Sequence, residues 1–181
     1  IEWHWVRGHT GDRLNERADR LARRARLEIT AGPETEAGVA RVYARVAFKG
    51  PAGPGAWGLI LESAGGETQQ FSAVEDKTTN NRLELQAVIE SLRLVSAGSR
   101  IQLVTSSDYV YQGATRWLAG WRQGGWKTKA GKPVSNQDLW RELEALAAVR
   151  EVRWLSAKQI GAEPALDEAA RVAAEALRAA L

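Results

Sequence analysis

The chain contains no cysteine and no methionine among its 181 residues. Without thiols there are no disulfides and no thiolate metal site, and a reducing cytoplasm is a compatible compartment. With Ile1 first and no methionine anywhere, the expectation is a piece of a longer protein. No apolar run is long enough to cross a bilayer, and no charged-then-apolar leader opens the chain. The expected setting is therefore soluble and cytoplasmic, with no membrane partner. A strong excess of one charge is also missing, since 25 Lys and Arg face 22 Asp and Glu for a net +3. Such a balance permits nucleic-acid binding without requiring it, because clustering decides.

What is there is 44% apolar residues and eight tryptophans, enough for one well-packed domain and an additional piece. A repeat organises the chain. Residues 1–25 and 152–176 align at a constant offset of 151, with Trp3 on Trp154, Arg7 on Lys158, Glu16 on Asp167, Ala18 on Ala169, Arg20 on Arg171 and Ala22 on Ala173. Each copy reads as strand, loop and helix, and Leu14, Ala18, Leu21, Ala22 and Ala25 form an apolar stripe at helical spacing. The chemistry of the copies differs, because His9 falls on Ile160 and Asp19 on Ala170.

Between the copies, residues 28–38 are polar and turn-rich, which predicts a linker. Strands are then predicted at VARVYARVAF (39–48), WGLILES (57–63), TQQFSAVE (68–75) and RIQLVTS (100–106). Helices are predicted over 81–95, 109–121 and 136–148, before the final strand and helix. Three hairpin strands followed by alternating helix and strand describe an α/β fold, a mixed sheet flanked by helices.

Four stretches resemble type-1 ribonuclease H. TTNNRLELQA (78–87) is similar to the family's asparagine pair and catalytic Glu, and GPAGPGAWG (50–58) to the turn after its first strand. WLAGWRQGGWKTKAGKPVSNQDLW (117–140) resembles its basic protrusion and the helix beyond. WHWVRGHTGDRLNERADRLAR (3–23) resembles its closing strand, His loop and last catalytic Asp. The resemblance implies a ribonuclease H-like five-stranded mixed sheet plus an extra N-terminal strand–helix unit. Residues 1–27 are then the C-terminal end of one domain, 28–38 a linker, and 39–181 a second domain with a degenerate site. The front of the first domain is expected upstream of Ile1. The leading unit is expected to pack on that missing segment, on a second copy of the chain by swapping, or on the second domain.

The family cuts the RNA strand of RNA–DNA hybrids with four carboxylates that hold two divalent ions, Mg2+ by expectation. Carried over by position, these fall on Arg45, Glu84, Ser106 and Ala170, and the assisting His falls on Ile160. Asp108 lies two residues past Ser106, as either an inward ligand or a helix cap. Asp19, His9 and Glu84 are the remnant catalytic positions, and Asp19 and Glu84 the incomplete metal set. The chain alone is therefore expected to be inactive. For substrate contact, the resemblance singles out Thr79, Asn80, Asn81, Trp117, Trp121, Arg122, Trp126, Lys127, Lys129 and Lys132. Basic residues interleaved with aromatics suit a phosphate backbone and its bases. The implied partner is RNA–DNA hybrid or another nucleic acid; a scaffold for protein contacts is the alternative role.

Overall fold

The computed structural model describes residues 38–50 and 53–181. The leading unit 1–27, with His9 and Asp19, and the linker up to residue 37 lie outside the described residues. Five strands form one sheet in the order β3-β2-β1-β4-β5. These are β1 (Val39–Phe48), β2 (Gly55–Glu62), β3 (Thr68–Glu75), β4 (Arg100–Thr105) and β5 (Glu151–Ser156). The three leading strands pair antiparallel, and β1–β4 and β4–β5 pair parallel. The mixed sheet expected from the hydrophobic pattern is thus present. Strand β1 runs through its middle, with Val42, Tyr43 and Ala44 buried.

Helix α1 (Asn80–Arg93) begins where Thr79, in extended backbone, accepts the Arg82 amide on its hydroxyl at 3.4 Å. That bond satisfies one of the donors a helix start leaves open. The helix buries Leu83, Leu85, Ala87, Val88, Ile89 and Leu92. Polar groups on the buried side are matched: Ser91 Oγ donates to the Ala87 carbonyl at 2.8 Å, and Gln86 donates to Glu90 at 2.8 Å.

One helix is expected over 109–121, but the structure divides it. Helix α2 (Asp108–Gln112) passes through a single π turn, Gly113–Trp117, into α3 (Leu118–Gln123). The wide turn lies where the fully buried Trp140 of helix α4 (Gln137–Ala148) presses on the backbone. A Cβ on Gly113 would sit 2.1 Å from Trp140 Cη2, so only glycine admits the indole there.

A short helix α5 (Ala157–Ile160) and the long α6 (Pro164–Ala179) follow β5. Leu166, Ala169 and Val172 of α6 join Tyr43, Ile60 and Val104 in one core cluster. The approach to β2 is at backbone distance. A Cβ on Gly58 would lie 2.3 Å from the Ala169 carbonyl oxygen and 2.6 Å from the Ala173 nitrogen. Residues 151–179 therefore close the sheet that begins at Val39.

Gly58→Ala is expected to push α6 off β2 and destabilise the protein by about 1–3 kcal/mol, as overpacking does. In urea unfolding the midpoint should fall with the slope unchanged.

Candidate functional site

A shallow pocket opens at the end of β4 beside the middle of β1. Arg45, Glu84, Ser106 and Ser107 line it, together with Ala44, Val46, Ala87 and Thr105. Glu84 is held by neutral donors on both oxygens: Asn80 Nδ2 donates to Oε1 at 2.9 Å, and the Ser107 hydroxyl donates to Oε2. Ser107 is buried, and its Oγ also accepts the Val110 amide at 3.2 Å, which caps α2. Its own N–H donates to Thr105 Oγ1 at 3.1 Å. Arg45 is half-buried, and among the described residues it has no hydrogen-bond or ion-pair partner.

A hard divalent cation needs several oxygen ligands, most of them anionic. The pocket offers one carboxylate, already engaged, and the cationic Arg45 is among its lining residues. Among the described residues, no three His, Cys, Asp or Glu side chains converge. These residues do not fit magnesium. Asp108 neither reaches inward nor caps: it is exposed at the first position of α2 and pairs with Lys158, while Ser107 is the cap. That corrects both readings of Asp108.

The start of α1 is joined to α4 by charge. Arg82 makes a paired contact with Asp138, at 3.0 and 2.7 Å, and a third bond to Asn136 at 3.4 Å. The hydrogen bond from Arg82 lowers the Asp138 carboxyl below its ordinary value near 3.8. Of the three expected contact residues here, Thr79 is the cap and Asn80 is spent on Glu84, whereas Asn81 is exposed.

The basic protrusion is built on an aromatic frame. Tyr109 and Trp140 meet edge-on at 5.4 Å between ring centroids and Trp121 and Trp140 edge-on at 5.3 Å, while Trp117 and Trp121 are tilted at 5.7 Å. The Tyr109 hydroxyl accepts from Trp140 Nε1 at 2.9 Å and from Asn136 Nδ2 at 3.2 Å. Beyond α3 the chain turns left-handed at two successive residues, Gly125 (φ 66°) and Trp126 (φ 63°). Tryptophan in that region is strained. The indole is buried, and the Arg141 guanidinium lies 5.1 Å from its centroid. Trp126 was expected to touch nucleic acid, but burial leaves it no free face for a base. Its N–H donates to the Trp121 carbonyl at 2.7 Å, and its carbonyl accepts from Val134 at 3.0 Å.

Between those bonds runs a tight hairpin, with Thr128 N–H donating to the Lys132 carbonyl at 2.8 Å and Lys127 bridged to Pro133. Lys127, Lys129 and Lys132 are exposed on it and have no ion-pair partner among the described residues. Arg122 is exposed and paired with Glu144 at 3.4 Å. Trp117 shows 39% of its surface, the largest aromatic exposure here.

The family model for RNase H matches residues 39–174, three quarters of the chain. The chain belongs to the RNase H family. A ribonuclease H of Ralstonia nicotianae is 49% identical over 113 residues, covering 62% of this chain and 74% of that protein. One from Zymomonas mobilis is 44% identical over 130 residues, covering 72% and 83%. In three dimensions the chain is similar to LC9-RNase H1, described as a type 1 RNase H with the type 2 active-site motif. The TM-score is 0.68 at 30% identity, over 81% of this chain and 74% of that one.

Within this RNase H fold, Glu84 and Ser106 do converge on one pocket with Arg45. Ala170 sits on α6, and Ile160 packs against the core cluster. Four residues carry no signal that the sequence alone made plain. Ser107 was hidden beside the more conspicuous Asp108, although a Ser preceding a helical run is a capping signal. Tyr109 and the Arg82–Asp138 pair join elements distant in sequence, and no local pattern announces them.

Ser107→Ala removes the α2 cap and one donor to Glu84, and should cost about 1 kcal/mol in thermal or urea unfolding. For Asp138, whose folded carboxyl is depressed, the stabilisation is complete above the unfolded value. It is lost as pH falls through the lower folded value. Arg82→Ala should therefore flatten the fall in melting temperature as the pH drops below about 4.

Proposed function

We propose that residues 39–181 act as a non-catalytic RNase H domain that holds RNA–DNA hybrid. The observation that carries this reading is an unpartnered Arg45 lining the same pocket as a single carboxylate, Glu84, already bonded on both oxygens. Such a pocket lacks the means to gather two cations, yet the lysine hairpin beside the aromatic frame keeps its charges exposed. Cutting and holding use different side chains, and the exposed lysines of the hairpin belong to the holding set. Relatives at 44–49% identity are ribonucleases H, which supports hybrid as the partner class.

Residues 1–27 enter the proposal as the closing unit of another RNase H domain. Asp19 and His9 would serve its metal-dependent cleavage of RNA, with Mg2+ as the cofactor. Two features favour the scaffold reading instead. Asp108 places a negative charge at the rim, though Lys158 offsets it, and Trp126 is withdrawn from the surface.

A gel titration against end-labelled RNA–DNA hybrid in magnesium, with duplex DNA and duplex RNA alongside, separates these. The expected result is a shifted, uncut band that favours hybrid. No shift with any of the three supports the scaffold, and cut RNA overturns the non-catalytic reading. Charge reversal of Lys127, Lys129 and Lys132 together should weaken binding and reduce the salt slope by up to about 0.9 per lost phosphate contact.

A further inference from the structure

We propose that the altered pocket is itself a phosphate-binding site, in which the Arg45 guanidinium grips a backbone phosphodiester of the nucleic acid without any metal ion. This rests on the hybrid-binding reading and adds to it a specific residue and contact.

The argument starts from an unmatched charge. A half-buried arginine without a carboxylate partner is unusual, because any desolvation of its charge has a cost that a partner normally offsets. Among the described residues Arg45 has none, although Glu84 lines the same pocket. Glu84 is instead committed to Asn80 and Ser107, so the guanidinium's donors remain open to an outside acceptor. Its planar fork suits a phosphate's paired oxygens. Ser106, exposed beside it, adds a neutral hydroxyl donor. The apolar Ala44, Val46 and Ala87 around the pocket lower the local dielectric, which strengthens a charge-assisted bond.

A sign difference makes the idea testable. In a site that holds phosphate through cations, Glu84 would help. In a site that holds it through Arg45, the Glu84 charge opposes the ligand. Glu84→Gln should therefore tighten binding, and Arg45→Ala should weaken it. Arg45→Lys keeps the charge but loses the fork, and should fall between wild type and Arg45→Ala.

The experiment is a hybrid titration of the whole chain by fluorescence anisotropy, in magnesium and in excess EDTA, across a salt series. Wild-type affinity should be the same in both. Arg45→Ala should lose roughly tenfold and lower the salt slope by about one contact, while Glu84→Gln gains affinity. Circular dichroism checks that each variant is folded, and Arg45→Lys serves if Arg45→Ala is not. If wild type binds hybrid but both Arg45 variants match it, the phosphate site is wrong and the hybrid-binding reading stands. Binding lost in EDTA, or weakened by Glu84→Gln, overturns the metal-free assignment in the same way. Competition by a nucleoside monophosphate at concentrations close to those of hybrid would show a small-molecule site and overturn the backbone assignment. No binding by wild type to any nucleic acid sinks both.

Discussion

The sheet is closed by a contact that leaves no room for a side chain. Gly58 on β2 lets the α6 backbone approach at Ala169 and Ala173, and the two alanines return the favour by presenting only methyl groups. This contact draws α6 down until Leu166 and Val172 reach Tyr43, Ile60 and Val104. Because Gly58 lies opposite Arg45 in the β1–β2 register, the same contact fixes what stands near the pocket. The small-residue helix there, Ala170 included, packs well and presents no carboxylate at that position.

The pocket illustrates how a lone carboxylate is held without a cation. Left without donors, Glu84 would be an isolated partly buried charge. Asn80 and Ser107 resolve that with neutral donors, and Ser107 does so while capping α2. Two helices are thereby tied to one carboxylate, so Glu84 has a structural role whatever its history. The partial burial of Glu84 alone would not reveal this, since the bonds arrive from positions four residues before it and twenty-three after it.

Much of the architecture was legible. Strands β1 and β3 coincide with the stretches VARVYARVAF and TQQFSAVE, because β-branched and aromatic residues bounded by turn residues leave little alternative. The positions that the resemblance singles out can be counted from the GPAGPGAWG turn and the TTNNRLEL string, and Arg45, Glu84 and Ser106 do line one pocket. What was not legible depends on contacts across the fold. The π turn at Gly113 lies where an indole from α4 packs on the backbone, and a local helical pattern carries no trace of that contact. Trp126 looked like its neighbours Trp117 and Trp121 in spacing, yet a left-handed backbone turns it inward. Basic and aromatic residues mixed in one stretch do not reveal which of them face solvent.

That inward Trp126 gives the lysine arm a mechanical character. Its N–H and carbonyl anchor the hairpin at entry and exit, and its ring is clasped between the body and Arg141. The turn is thus shaped before any ligand arrives. A floppy basic loop would surrender conformational freedom on meeting a polyanion, and that entropy would be subtracted from its affinity. Here the loss is already met by folding, through the packing of one buried indole. The arm behaves as a fixed bracket, with only the ends of its lysine side chains left to search.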